Sequence, residues 1–98
     1  MPTEPTYHNN LGLSYFEKGL FNDALASYEE AIKMENLKIK QEKDRSKENL
    51  SFYHKNLGLA LYHIPDMMDR ALEEYEKGID CNKDNADNYF NRGNVRLN

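Results

Sequence analysis

Residues 11–32 read LGLSYFEKGLFNDALASYEEAI and residues 57–79 read LGLALYHIPDMMDRALEEYEKGI, the same pattern with one residue added. A chain that carries one motif twice uses one structural unit twice. That restricts it to architectures in which neighbouring copies bury each other's apolar faces. A third start lies at NYFNRGNVRL, where Gly93 follows Gly58 by 35 residues, as Gly58 follows Gly12 by 46. The repeats occupy nearly all 98 residues, so the chain is one small domain.

The apolar spacing within each unit is helical. Tyr7, Leu11 and Tyr15 form one stripe, and Leu13, Phe16 and Leu20 a second, both at steps of three or four. Two stripes on one helix mean two buried faces. Gly19 suits a helix C-terminus, and Asn22 is a candidate cap for a new helix whose face reads Ala24, Tyr28 and Ala31, with Leu25 and Ile32 beside it. The second unit repeats this with Leu50, Leu57 and Leu61, a break at Pro65 and Asp66, then Ala71, Leu72, Tyr75, Gly78 and Ile79. Each unit is therefore a helical hairpin. Small residues at Gly12, Ala24 and Ala31, matched by Gly58, Ala71 and Gly78, let the two backbones approach closely.

Composition narrows the function classes. Seventeen acidic residues outweigh thirteen basic ones, a net charge of −4, against the basic surface that phosphate binding requires. Asn36 to Asn49 departs from this trend, with five basic and three acidic residues. No apolar run approaches the ~20 residues needed to span a bilayer, and the N-terminus lacks a charged leader, so no membrane contact and a cytoplasmic location are expected. A chain this size buries only about 60% of its unfolded surface, which leaves little core to support a catalytic cleft. No enzyme is expected. Cys81 is the single cysteine. His8 and His54 hold equivalent slots and read as packing residues; His63 follows His54 by nine, off the i, i+4 face of a helical zinc pair, so neither a metal nor another cofactor is expected. Glu29, Glu30, Glu73, Glu74 and Glu76 read as solvated faces of the second helices.

Leu11-Gly12, Tyr15, Gly19, Ala24, Tyr28 and Ala31, with Leu57-Gly58, Ala71, Tyr75 and Gly78 in the second unit, resemble the tetratricopeptide repeat family. The chain departs from that pattern at His8 and His54, where the family usually has Trp, and at Gly78, where it has Ala. The resemblance implies an all-α solenoid of helical hairpins with two full repeats plus the first helix of a third. The expected divisions are repeat 1 over about 5–36, a charged insertion over about 37–49, repeat 2 over about 50–84 and a partial repeat 3 over about 85–98. The 46-residue spacing exceeds the family's ~34-residue unit. The excess predicts an extended hairpin connection around residues 36–49, with both flanking helices lengthened, Ser46 as a possible cap and a charged prong projecting beyond the next hairpin.

The same resemblance implies a non-catalytic protein–protein interaction module that holds an extended or helical peptide against the first helices of the repeats. Carried over residue by residue, the groove is Asn9, Asn10, Leu13 and Phe16; then Phe52, Lys55, Asn56, Leu59 and Tyr62; then Phe90, Asn91 and Asn94, with Asp87 and Leu97 at its margins. Asn10, Asn56 and Asn91 share one slot and form a potential ladder of amides, each able to donate to and accept from a peptide backbone. Family members that hold acidic chaperone tails use two Asn and several cations here. Only Asn56 matches, so a different partner is expected. The alternative is a structural element that stacks end to end, as a homo-oligomer through the C-terminal helix or within a larger complex. In that helix Tyr89, Phe90, Val95 and Leu97 put apolar residues on more than one side.

Overall fold

The computed structural model describes residues 4–83 and 86–97, with side chains described through residue 94. Five helices follow one another: α1 (Pro5–Glu17), α2 (Phe21–Gln41), α3 (Glu48–Tyr62), α4 (Met68–Cys81) and α5 (Ala86–Leu97). The described residues contain no strand. The expected all-α array of hairpins is what forms, α1 against α2 and α3 against α4, with α5 on α4.

The intra-hairpin turns differ in length, residues 18–20 in the first and 63–67 in the second, but Gly19 and Asp66 both stand just before the cap of the second helix with positive φ, 78° and 66°; at Gly19 this backbone directly follows the C-cap of α1. Glycine meets that requirement without strain, whereas Asp is one of the few L residues that tolerates it. Neither second helix has a side-chain cap at its start. Asn22 lies inside the first turn of α2, because the helix is capped at Leu20, two residues earlier than an Asn22 cap would need.

Tyr28 and Tyr75 explain the glycines opposite them. A Cβ at Gly12 would lie 2.5 Å from Tyr28 Cε1, and one at Gly58 would lie 2.5 Å from Tyr75 Cε1. Each ring thus lies flush on the backbone of the preceding helix. Burial pushes the Tyr28 phenol up to about 12, with the Glu17 charge adding to the effect, and burial raises Tyr75 likewise. One core runs through both hairpins: Ala24 and Tyr28 from α2, Leu57, Ala60 and Leu61 from α3, Ala71 and Tyr75 from α4.

The insertion corrects the expectation in one respect. Only α2 is substantially lengthened, to 21 residues against 14 in α4, whereas α3 has 15 against 13 in α1. The charged connection also folds back, so no free prong stands out. Arg45 donates from Nε to Glu35 Oε2 at 2.6 Å and from its Nη2 to Oε1 at 3.0 Å. Glu35 is fully buried on α2, and a buried carboxylate needs a partner, which Arg45 supplies through a bidentate fork. Ser46 Oγ accepts the Glu48 amide at 2.9 Å, but it lies one residue ahead of the cap position expected of it, which Lys47 occupies.

Candidate functional site

The backbones of α1, α3 and α5 meet in sequence, whereas those of α2 and α4 stay apart among the described residues. The layer of first helices is therefore the inner one. Its residues fall into an apolar and a polar set. Leu13, Phe52 and Phe90 are exposed by 37%, 41% and 70%, one on each successive inner helix. Phe16, Leu59 and Tyr62 are half-buried against the core and form a floor beside them.

The polar set is internally partnered. Asn56 Nδ2 donates to Asn9 Oδ1 at 2.9 Å, a bond from α3 to α1. Lys55 Nζ lies 3.5 Å from Asp87 Oδ2 and 5.3 Å from the centre of the Phe52 ring, so its charge is already balanced by a carboxylate and an aromatic face. The three ladder amides stand in three environments: Asn10 exposed, Asn56 buried and Asn91 half-buried. Equal slots do not make equal rungs here, because Asn56 is flanked by inner helices on both sides. Asn94 is exposed.

A second cluster lies outside the inner layer. His54 Nδ1 is 2.7 Å from Glu74 Oε1, and Lys77 Nζ donates to Glu74 Oε2 at 3.2 Å. Burial pushes the Glu74 carboxyl up, but the His54 hydrogen bond and charge, with Lys77, hold it below the usual carboxylate range. Ionised Glu74 accepts, so Nδ1 carries the proton. Glu74 corrects the solvated-face expectation, since it is 4% exposed. His54 is the buried packing residue expected, with an acid partner that the sequence did not reveal. His8 packs edge-on to Tyr7, with ring centres 5.1 Å apart.

The remaining reactive groups stay separate. Burial pushes the Cys81 thiol up, and Lys47 and Asp80 act in opposite senses on it, so the thiolate that nucleophilic chemistry needs is disfavoured. Among the described residues no three His, Cys, Asp or Glu side chains converge on one point. No described helix is long and apolar enough to cross a membrane.

The paired glycine–tyrosine contacts and the alternation of inner and outer helices are the marks of one repeating unit, and the family model of the tetratricopeptide repeat matches residues 5–35. The first hairpin thus carries a tetratricopeptide repeat. No curated protein matches the sequence. The matched segment covers α1 and most of α2; the second hairpin repeats its Gly–Tyr contact and the positive φ ahead of its second helix. Tetratricopeptide repeats generally mediate protein–protein interactions and are typically non-catalytic.

Buried polar residues are what the reading of the sequence missed. Asn88 of α5 is fully buried; its Nδ2 donates to Ser51 Oγ at 3.1 Å, and that hydroxyl donates to the Gly78 carbonyl at 2.9 Å. The one available signal was Gly78 itself. It departs from the family's Ala because a Cβ there would meet Asn88 Oδ1 at 2.5 Å.

Proposed function

We propose that the chain is a cytoplasmic, non-catalytic interaction module that holds an extended or helical segment of a partner protein against α1, α3 and α5. The observation that carries this reading is the row of exposed apolar side chains, Leu13, Phe52 and Phe90, repeated at one per inner helix above a half-buried floor. Such anchors supply most of the binding energy when they enter a partner's surface. Asn10 and Asn94 stand exposed beside them to pair with a peptide backbone. The balanced Lys55–Asp87 pair argues for an apolar segment over a strongly charged one. The test is a crosslinked pull-down with native chain and Phe52→Glu: loss of one defined partner supports the groove, and an unchanged set of captured proteins removes it.

Phe90 and Tyr89, exposed by 70% and 40% on α5, favour a second reading, assembly through the last helix. Val95 and Leu97, which belong to the same expectation, have side chains outside the described residues. Sedimentation over a hundredfold concentration range separates the readings: an assembly element grows in size with concentration and Phe90→Glu abolishes that growth, whereas a groove binder stays a monomer.

A further inference from the structure

The inner layer does not hold the only exposed apolar surface. Leu20 and Phe21 open α2 as Met67 and Met68 open α4, at equivalent positions of successive repeats. Both turns therefore lie on one edge of the array, one repeat apart. Phe21 ties them together, because its ring stacks on His63, the C-terminal cap of α3, with centres 4.9 Å apart and planes 10° from parallel. Leu20 is exposed by 46%, and Met67 and Met68 by 37% each. Thioether side chains are flexible and polarisable and adapt to apolar partners.

The charge around this edge is mostly acidic. Glu17, Asp23, Asp66 and Asp69 are all exposed, and none makes an ion pair among the described residues. The cations present are Lys18 and Arg70, and the Arg70 guanidinium is already 3.6 Å from Glu29. An apolar strip with an acidic rim complements a partner with an apolar strip and a basic rim. Side chains at i, i+4 and i+7 of one helix share a face, so an amphipathic helix can present several apolar anchors to this edge at once.

We propose that this turn edge docks a basic amphipathic helix of another protein, with apolar anchors near i, i+4 and i+7 seated on Leu20, Met67 and Met68 and Lys or Arg facing the acidic rim. The edge adjoins the groove floor, since the Phe16 ring meets Phe21 with centres 5.4 Å apart, but its anchors Leu20, Met67 and Met68 are not groove residues, so Phe52→Glu tests the groove separately.

The probe is a labelled leucine–lysine peptide of about 18 residues, ordered to be amphipathic as a helix, titrated with the full chain and followed by anisotropy. Binding is expected to weaken at least about tenfold in Leu20→Glu/Met67→Glu, to weaken in Asp23→Asn/Asp69→Asn, and to persist in the groove variant Phe52→Glu. Circular dichroism of each variant confirms that it is folded, and the Asp→Asn pair, fully on the surface, keeps the test decisive if the Glu pair is not. Equal binding of a scrambled peptide of the same composition overturns the proposal. So does native-like binding by both edge variants. Concentration-dependent self-association that Leu20→Glu abolishes would overturn it too, by assigning the edge to a second copy of the chain.

Discussion

At Gly12 a single methyl group decides between two opposing effects. Alanine is favoured over glycine inside a helix by about 1 kcal/mol, but here the added carbon would sit 2.5 Å from a Tyr28 ring that is 1% exposed and has nowhere to move. Overpacking of that kind costs about 1 to 3 kcal/mol, so the clash wins. Gly12→Ala and Gly58→Ala are expected to lower the urea midpoint. Gly93→Ala is expected to raise it by up to about 1 kcal/mol of stability, because a Cβ there meets nothing within 4 Å and only the helix preference remains. If all three variants shift the midpoint in the same direction, the flush Gly–Tyr contact is not what these glycines serve. The positions were legible in the sequence as small residues opposite large ones; the size of the gap was not, since it depends on two helices meeting.

The helices show where a periodic pattern stops being informative. Leu25, Ile32 and Ile39 repeat at seven, in keeping with an α2 that runs on to Gln41. The return of the connection onto α2 was hidden, because the Glu35–Arg45 pair joins residues ten apart with no period. Arg45→Ala is expected to cost about 3 kcal/mol, the low end for stripping a partner from a buried charge, since Arg45 itself is a quarter exposed. Arg45→Lys should recover part of it, keeping the charge and losing the fork. Thermal melts of the three chains rank them, and a ranking with Lys no better than Ala would mean that charge is not what Glu35 needs. Glu74 was equally hidden, because its partner His54 comes from another helix. Its carboxyl is held below the usual range when folded, so across that window the unfolded chain binds more protons and stability falls as pH drops. Glu74→Gln is expected to flatten the loss of stability between about pH 5 and pH 3; an unchanged slope would assign that acid sensitivity to other carboxylates.

Across the molecule the hairpins share one core that no described side chain of α5 enters, and this difference sets the order in which parts come undone. The cluster of Ala24, Tyr28, Leu57, Leu61, Ala71 and Tyr75 joins α2, α3 and α4, so these helices should open together. The solenoid architecture and its inner layer were legible, since helix order and a two-stripe pattern are enough to stack hairpins. The pairings inside that layer, Asn9 with Asn56 and Lys55 with Asp87, were not, because each joins neighbouring repeats whose offset the insertion shifts. The same holds for α5, whose attachment runs through Asn88 to Ser51 of α3, beside Gly78 of α4. Removing that side chain forfeits its bond to Ser51, while the Ser51–Gly78 bond of the hairpin itself survives. Asn88 Oδ1 has no hydrogen-bond partner among the described residues, so little is lost with it there. Asn88→Ala is expected to destabilise α5 locally by about 1 kcal/mol, speeding amide exchange in residues 86–97 roughly fivefold and leaving α2 to α4 unchanged. Exchange that accelerates equally in all five helices would show that the last helix is a cooperative part of the core, and exchange unchanged in α5 would show that Asn88 does not hold it.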